Sequence, residues 1–593
     1  MEKDKKHMLM STYHRDSSFP ICRRLGFTLF QTDSDHISTN ELPDGSWDWS
    51  DYDRSCGSVL EAGLQWMFFP HFAFPPPWYR ESVEFVRMGC LEHGETVEAF
   101  SLFEPKALDY LERGYRELAA HYGGKISAFY LGVHGDYGEC MFPAACRMGE
   151  EGQRRDWEKR FGNLHNHYGY WCGDALAREN FKKAMLEKYG GLGELNRQWG
   201  TAYTCGCEVA YPPIPPEWEK NADGSDHKNG LPPYVSARHW LDFSRWYLGS
   251  MVDYSREVAR AANRHFPGVL KMFPLGCGDE DVRAGQDNSA LVKMAKEEGV
   301  SIRSTHGGFD DFPGNSSSML TRIASACKHY GVDFYSEPPS GISPERLVSR
   351  IFESICCGSA GYWDWDSNPV RIENQAIYEK YRELFVIDRP VVRAAILFPQ
   401  TYHYLHPEEG YPRILREMGR EIRAFAHFDI IDERLVADGA LERYDYLIYL
   451  QGDVFERAAA EEIKKWVKGG GVLCCYIPEG ISRMSYADGE GFGGGFFERI
   501  RGESGKIAVN VGAGALCAAR SREVFFHMLG EVFFGSPPCG KAPLDYVYRS
   551  APGVYGVLLE SGRRLLYNSN PADALADLPG GKCEIPAHSI VSV

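Results

Sequence analysis

The feature that most limits the possible folds of this chain is a repeated alternation of short apolar runs with helical patterns. Eight such runs occur within about 370 residues, and each is too short for an independent helix. They are residues 25–31, 64–70, 97–103, 129–134, 269–273, 300–306, 332–337 and 360–365. Strands that alternate with helices form parallel sheets, and eight such units favour a closed (β/α)8 TIM barrel over a doubly wound sheet. Residues 1–388 are therefore predicted to form an α/β barrel domain.

The sequence changes in character after Asp388-Arg-Pro390. Further strand-like runs alternate with helices such as 458–468, which predicts a second α/β domain with a parallel sheet over residues 389–540. These runs are 394–398, 428–432, 444–450 and 471–476. Three short runs near the end of the chain predict a small β-domain over residues 541–593. They are 556–559, 565–567 and 589–593.

Acidic residues directly follow two of the predicted barrel strands. The run at 129–134 breaks at Gly135 and is followed by Asp136 and Glu139, whereas the run at 332–337 ends in Glu337 before a stiff Pro-Pro-Ser-Gly turn. In a parallel barrel, catalytic side chains stand at the C-terminal ends of the strands. Hydrolysis of a glycosidic bond needs two carboxyl groups, one protonated and one ionised. The pattern favours a glycoside hydrolase over the alternative that Glu337 only caps the helix at 344–356.

Further residues at predicted strand ends are candidates for sugar binding. An aromatic face covers the C–H face of a pyranose, while polar groups bind its hydroxyls. The candidates are Asp35, His36, His71, Trp78, His306, Trp363, Asp364 and Trp365. Alternation along a strand places Trp363 and Trp365 on one face and Asp364 on the other. For each candidate, a place in the core or in a helix cap is the alternative.

The charge of the chain indicates which partners to expect. The formal net charge is −17, which argues against nucleic acid and anionic membranes, because both attract basic surfaces. A neutral carbohydrate is the expected substrate. No run approaches the length of a membrane span, and the charged first residues lack the apolar segment of a signal peptide. A cytoplasmic location is therefore predicted.

One stretch resembles a known family. Residues 181–201, which end in Asn196-Arg-Gln-Trp-Gly-Thr201, resemble the helix after strand four in the β-galactosidases of glycoside hydrolase family 42. That family carries a barrel, then an amidotransferase-like α/β domain used for trimerisation, then a small β-domain. The resemblance implies removal of terminal β-linked galactose with retention, an acid/base at strand four and, at strand seven, Glu337 as nucleophile. It also implies a homo-oligomer, a dimer or trimer, formed through the middle domain.

The strand-four motif departs from that family. Where the family usually has Asn-Glu, this chain has Gly135-Asp136, and aligning Asp136 with the family's Glu makes Asp136 the acid/base. The stretch Gly135-Asp-Tyr-Gly-Glu139-Cys-Met-Phe-Pro143 also resembles the Gly-x-x-Gly-Glu-x-x-Tyr-Pro motif of β-amylases, in which the Glu is the general acid of an inverting mechanism. We favour Glu139, because its longer side chain reaches over a bound sugar. Burial beside Phe142 would keep it protonated, and Asp136 would then bind a hydroxyl or support the site.

Two alternatives to a retaining glycosidase stay open. The first is an inverting, β-amylase-like hydrolase in which Glu337 activates water. The second is a carbohydrate-binding barrel that has lost its chemistry.

The chain has 17 cysteines, an odd number that includes adjacent pairs, and this suits reduced thiols better than a disulfide framework. Family 42 often carries zinc on clustered cysteines after strand four, where this chain has Cys140, Cys146, Cys172, Cys205 and Cys207. Their spacing lacks the close pairs of a strong zinc signal, so buried thiols are predicted, with no metal and no cofactor. Cys474-Cys475 lie within a predicted strand without a Gly-x-Cys-x-Gly turn, so no glutaminase activity is predicted.

Overall fold

The computed structural model describes most of the chain, and every structural statement below concerns the residues that it describes. These are 6–32, 40–135, 138–142, 165, 169–214, 236–276, 282–305, 315–339, 341–407, 413–452, 454–477, 485–487, 506–535, 538–541, 544, 552–578 and 581–593.

Eight of the first ten strands form a closed barrel, which confirms the predicted fold class. The ten strands are β1 Leu9–Tyr13, β2 Leu29–Gln31, β3 Gln65–Phe68, β4 Arg87–Gly89, β5 Thr96–Phe100, β6 Ala128–Tyr130, β7 Leu270–Leu275, β8 Ser301–Ser304, β9 Phe334–Ser336 and β10 Gly361–Asp364. Around the barrel the order is β1, β2, β3, β6, β7, β8, β9 and β10. The pairs β1–β2, β2–β3, β3–β6, β6–β7, β7–β8 and β9–β10 are parallel.

One predicted barrel strand is wrong and one barrel strand was not predicted, so the count of eight is unchanged. The first barrel strand is β1, which the sequence reading missed because Ser11 and Thr12 interrupt its apolar character, although both are buried. The run at 97–103 contains a real strand, β5, but this strand pairs antiparallel with β4 in a hairpin outside the barrel. The runs at 129–134 and 332–337 do provide the fourth and seventh barrel strands.

Helices alternate with the strands of the barrel region. They are α1 Phe19–Leu25, α2 Ser50–Glu61, α3 Pro77–Ser82, α4 Pro105–Tyr122, α5 Ala175–Tyr189, α6 Leu192–Trp199, α7 Ala237–His265, α8 Asn288–Glu298, α9 Asn315–Tyr330, α10 Pro344–Cys356 and α11 Ile372–Lys380. Both ends of helix α5 carry capping signals that are visible in the sequence. Its first turn is capped by the Asp174 side chain, which accepts from Ala177 N, and its end is capped by Gly190 at φ +65°.

The region after residue 390 contains a six-stranded sheet with the order β12, β11, β13, β15, β18, β17. Its elements are β11 Ala394–Phe398, α12 Gln400–Leu405, α13 Arg413–Arg423, β12 Asp429–Asp432, α14 Glu433–Ala437, β13 Tyr446–Tyr449, β14 Val454–Phe455, α15 Arg457–Lys468, β15 Val472–Tyr476, β16 Ser485–Tyr486, β17 Lys506–Val511, β18 Gly514–Ala519 and α16 Arg522–Phe534. The sheet is parallel as predicted, except for the unpredicted edge strand β17, which is antiparallel to β18. Cys474 and Cys475 are buried within β15.

The end of the chain forms small β-sheets, as predicted. The strands are β19 Val554–Leu558, β20 Arg564–Asn568, β21 Ala574–Leu578, β22 Gly581–Ile585 and β23 Ser589–Ser592. Strands β19, β20 and β23 form one sheet, and β21 pairs with β22 in a hairpin that the sequence reading missed. Val554, Leu566, Ala576 and Ile585 form the core between them.

The chain divides into two compact units. The first comprises residues 10–305 with 404–411, and the second comprises 1–9, 306–403 and 412–593. The domain boundaries predicted at residues 388 and 540, and the amidotransferase-like character of the middle region, stay predictions. Among the described residues, no helix is both long enough and apolar enough to cross a membrane.

The cysteines follow the predicted reduced state with one exception. Cys205 and Cys207, only two residues apart, are joined in a disulfide. The other described cysteines are free thiols, and all except Cys539 and Cys583 are buried. Of the five cysteines considered for zinc, Cys140 and Cys172 are buried thiols and Cys146 lies outside the described residues.

Candidate functional site

In the first unit, the segment after β6 is a tight loop that holds Glu139 at the end of the fourth barrel strand. Val133 N donates to Gly138 O (2.8 Å), and Gly138 N donates to Gly135 O (2.8 Å). His134 N and Gly135 N both donate to Glu139 O, at 3.2 and 2.9 Å. Gly138 has a φ of +82°, which glycine adopts at no steric cost. The backbone of Glu139 is therefore fixed by hydrogen bonds that close the loop.

The Glu139 side chain is buried, with 3% of its surface exposed, and it packs directly over Gly135. A Cβ atom at position 135 would lie 2.5 Å from Glu139 Oε2 and 2.9 Å from Met141 Cγ. Only glycine leaves room for the carboxylate at this point. Gly135 is thus required for a steric reason, because the Glu139 side chain occupies the space that a larger residue would need.

The residues after Glu139 are anchored to the next part of the barrel. Cys140 N donates to Pro274 O in β7 (3.2 Å), and Phe142 N donates to Ala284 O (2.8 Å). The Phe142 ring stacks on Tyr247 of α7, with centroids 4.4 Å apart and planes 11° from parallel. Bonds and stacking on both sides make the loop a rigid support for a side chain that must be held in one orientation.

Two buried histidines lie beside this loop. Gly132 N donates to Pro70 O (2.9 Å), and a Cβ at Gly132 would come 2.9 Å from His71 Cβ, so His71 adjoins the loop. Burial lowers the pKa of His71 to about 3, with a smaller effect from His134. Burial also lowers the pKa of His134 to about 4, although a 3.0 Å hydrogen bond to Phe100 O opposes the shift. Both imidazoles are therefore neutral at neutral pH.

The other candidates that precede residue 310 are placed only in part. Trp78 lies in α3, where its indole N–H donates to Glu41 O (2.9 Å) and its ring meets Tyr79 edge to face. No contact between Trp78 and the strand-four loop is seen among the described residues. Asp35, His36, Asp136 and His306 lie outside the described residues.

In the second unit, Glu337 stands directly after β9, the seventh barrel strand, and is buried, with 4% exposure. The preceding residue, Ser336, donates its hydroxyl to Ser354 in α10 (2.7 Å). Helix α10 is capped by Ser343, whose side chain accepts from Arg346 N. Glu337 therefore does not cap this helix, which removes the structural alternative considered for it.

Asn368 ties the loop after Glu337 to the eighth barrel strand. Its Nδ2 donates to Pro339 O (3.1 Å) and to Asp364 Oδ1 (2.6 Å), and its Oδ1 accepts from Ile342 N (3.0 Å). One buried amide thus connects both sides of the Glu337 loop to a carboxylate in β10. The sequence reading missed Asn368, because no local pattern reports which distant backbone groups an amide will meet.

The residues at the end of β10 alternate as predicted. The rings of Trp363 and Trp365 meet edge to face, with centroids 5.1 Å apart, while Asp364 accepts from Asn368 and from the Tyr378 hydroxyl. Burial raises the pKa of Asp364 to about 7, and the hydrogen bonds from Tyr378 and Asn368 limit the rise. Both of these hydrogen-bond partners of Asp364 thus lie in the second unit, and a contact of Asp364 with a sugar stays a prediction.

The architecture is shared with solved β-galactosidase structures over nearly the whole chain. A family 42 β-galactosidase from G. stearothermophilus gives a TM-score of 0.70 at 13% identity, covering 99% of this chain and 98% of that chain. The resemblance to family 42 is confirmed at the level of the fold. No protein-family model matches the chain.

Particular structures show how far the likeness extends. The cold-adapted β-galactosidase from Rahnella sp. R3 superimposes with a TM-score of 0.72 at 13% identity, covering 100% of this chain and 98% of that chain. The β-galactosidase from Bacillus circulans sp. alkalophilus gives a TM-score of 0.71 at 12% identity, covering 100% and 99%. The catalytic domain of the β-amylase from Paenibacillus polymyxa gives a TM-score of 0.50 at 17% identity, covering 62% and 95%.

The curated proteins that match by sequence are amylases. The β/α-amylase of Paenibacillus polymyxa is 25% identical over 244 residues, which cover 38% of this chain and 18% of the amylase. The β-amylase of Cytobacillus firmus is 24% identical over 244 residues, which cover 38% of this chain and 47% of the amylase. The chain thus spans less than half the length of either amylase.

Proposed function

We propose that this protein is a glycoside hydrolase that removes terminal β-linked galactose from oligosaccharides with retention of configuration. The observation that carries the proposal is the pair of buried carboxylates, Glu139 directly after the loop of strand four and Glu337 directly after strand seven. The fold of the whole chain supports it, since the β-galactosidases cited above share this fold over their full length.

The two acids have different proposed roles. Glu139 donates a proton to the departing glycosidic oxygen, and Glu337 attacks the anomeric carbon to form a covalent glycosyl-enzyme. Glu139 then removes a proton from the water that hydrolyses this intermediate, which restores both residues. The closed strand-four loop suits the first role because it fixes the backbone of the acid.

The remaining candidates are proposed to bind the sugar. His71 is a neutral imidazole beside the strand-four loop, and a neutral imidazole hydrogen-bonds hydroxyls without carrying charge into the site. Trp363 and Trp365 supply aromatic surface for the C–H face of a pyranose. Asp136, His306, Asp35, Trp78 and Asp364 are proposed as further hydroxyl-binding or rim residues. No cofactor takes part in the proposed reaction.

A second candidate function is favoured by the sequence matches to amylases and by the Gly-x-x-Gly-Glu motif. In this reading the protein is an inverting, β-amylase-like hydrolase. Glu139 stays the general acid, and Glu337 activates the attacking water instead of bonding to the sugar.

One experiment distinguishes the retaining β-galactosidase from the inverting β-amylase-like hydrolase. The purified protein is offered nitrophenyl α- and β-glycosides and, separately, a maltodextrin, and proton NMR records which anomer appears first. Release of β-galactose from a β-galactoside supports the retaining reading, whereas release of β-maltose from the α-linked glucan supports the inverting one. No turnover of any substrate by folded protein would contradict both and favour a carbohydrate-binding barrel without chemistry.

We also propose a homo-oligomer, a dimer or trimer, that associates through residues 389–540. Light scattering after size-exclusion chromatography is expected to give two or three times the chain mass of 66.9 kDa. A mass equal to one chain would contradict this proposal and leave the catalytic one untouched.

The packing of Glu139 over Gly135 leads to a prediction for a buried glycine. Gly135→Ala is expected to lower kcat by about 100-fold, because the new methyl group would displace a catalytic carboxylate that it approaches to 2.5 Å. Steady-state kinetics on the best nitrophenyl glycoside measures this. Gly57→Ala in α2 is the matched control, since its Cβ meets nothing within 4 Å and should leave kcat unchanged. Equal kcat values for the two variants would show that Glu139 is not where the chemistry occurs.

The Asn368 tie leads to a second prediction. Asn368→Ala is expected to lower the free energy of unfolding by about 1–3 kcal/mol and kcat by roughly 10- to 100-fold, because the Glu337 loop loses its buried partner. Asn263→Ala is the matched control. It removes an amide bond to Glu298 O (2.8 Å) between α7 and α8, so it should cost stability without lowering kcat. Thermal unfolding and steady-state kinetics of both variants test this prediction. If Asn368→Ala lowers stability but not kcat, the hydrogen bonds of Asn368 do not position Glu337.

A further inference from the structure

We propose that Cys90, His93 and His165, all in the first unit, bind a zinc ion. Their ligand atoms lie within 4.8 Å of one another. Cys90 Sγ is 3.5 Å from His93 Nδ1, which in turn is 3.0 Å from His165 Nε2. In a tetrahedral zinc site with ordinary bond lengths, sulfur and nitrogen ligands are about 3.6 Å apart and two nitrogens about 3.3 Å apart. The three side chains are therefore already close to the spacing that zinc requires.

The first two ligands, Cys90 and His93, lie on one tight turn. Cys90-Leu-Glu-His93 forms the turn between β4 and β5, and the two-residue separation is typical of zinc ligands. His93 N donates to Cys90 Sγ (3.4 Å) and Gly94 N donates to Cys90 O (3.1 Å), so the turn curls around the sulfur. Gly94 closes it with a φ of +71°. This backbone arrangement holds sulfur and imidazole on the same side of the turn.

A neighbouring carboxylate supports the turn. Glu92 Oε2 lies 3.3 Å from Cys90 Sγ, and the same carboxylate accepts from Tyr170 N at 2.8 and 3.1 Å. The three ligands, one thiolate and two imidazoles, form a nitrogen and sulfur set that suits zinc better than calcium or magnesium, and they leave the fourth tetrahedral position to a water molecule.

The ion would fasten the β4–β5 hairpin to the segment after strand four. The hairpin is already joined to that segment by Leu91 N donating to Tyr170 O and Gly173 N donating to Gly89 O, both at 2.8 Å. His165 extends this junction by one more side chain. These residues differ from the cysteine cluster considered in the sequence, of which Cys205 and Cys207 are joined to each other. The proposal thus replaces the prediction that the chain binds no metal.

The test is metal binding by the full-length protein. Protein stripped with a chelator and reconstituted with Co²⁺ is expected to bind about one ion per chain, with the visible bands of a tetrahedral ion and a sulfur-to-cobalt charge-transfer band in the near ultraviolet. Cys90→Ser should abolish the charge-transfer band. His165→Gln and His93→Gln should each weaken zinc affinity by about 100-fold or more, since even loss of an outer partner costs 10- to 100-fold.

Controls separate this site from other thiols and imidazoles. Cys583→Ser changes a partly exposed thiol in the β21–β22 hairpin, and His527→Gln changes an exposed imidazole in α16 that lies 3.1 Å from the Glu531 carboxylate. Both should bind cobalt like the parent protein. If Cys90→Ser fails to fold, His93→Gln and His165→Gln give the answer, because the first of these histidines is exposed and the second is partly exposed. Well under one ion per chain, or a cobalt spectrum unchanged in the Cys90 and His165 variants, would overturn the proposal.

Discussion

Glu337→Gln is expected to lower kcat by about 10⁴-fold or more with little change in fold, because glutamine keeps the shape of the side chain and removes its nucleophilic oxygen. The residue is buried directly after β9. The effect should fall on kcat rather than on sugar binding, since the bond to the anomeric carbon forms only during the reaction.

A mechanism-based label tests the role of Glu337 more directly than the rate does. A 2-deoxy-2-fluoro-β-galactoside with a good leaving group should inactivate the parent protein and add one sugar to the peptide that contains Glu337. Glu345→Gln, eight positions further on in the first turn of α10, is the matched control and should be labelled like the parent. A sugar found on another residue would reassign the nucleophile. Turnover without any labelled intermediate would support the inverting reading.

Glu139→Gln is expected to show a dependence on the leaving group. With an oligosaccharide, whose leaving oxygen needs a proton, kcat should fall by about 10²- to 10⁴-fold. With a dinitrophenyl glycoside the first step should fall far less, because dinitrophenolate departs without protonation. Steady-state and burst kinetics on both substrates measure the contrast, and the high-pH limb of kcat/KM should also disappear.

The competing assignment supplies the control for this prediction. Asp136 precedes Glu139 by three residues and is the acid in the alternative alignment with family 42. Asp136→Asn should lower the rate on both substrates to a similar extent if it binds a hydroxyl. If the leaving-group contrast instead appears in Asp136→Asn and is absent from Glu139→Gln, the acid is Asp136.

Local sequence determined many of the helices and strands of this fold and the positions of its two acids at strand ends. The ends of α4 and α5 follow from local sequence, because Pro105 at the start of one helix and Asp174 and Gly190 around the other are signals that act within a single turn. Glu139 and Glu337 were found for a similar reason. Each acid follows a short apolar run, and a buried parallel strand is readable as such a run.

Tertiary structure alone decided which strands pair and which side chains converge. Strand β1 enters the barrel and β5 does not, because pairing partners are distant in sequence and leave no mark in a local pattern. The contact of Gly135 with the Glu139 carboxylate, and the reach of Asn368 to Pro339 and Ile342, likewise depend on how the chain closes on itself.

The proposed zinc site shows both contributions. Cys90 and His93 have a spacing that sequence alone displays, but two ligands do not define a metal site. His165 lies 72 residues further on, next to His93. Its approach to the turn is a result of folding. Short-range spacing and capping are written in the sequence because they act over a few residues, whereas a site becomes visible only when the fold brings distant side chains within bonding distance.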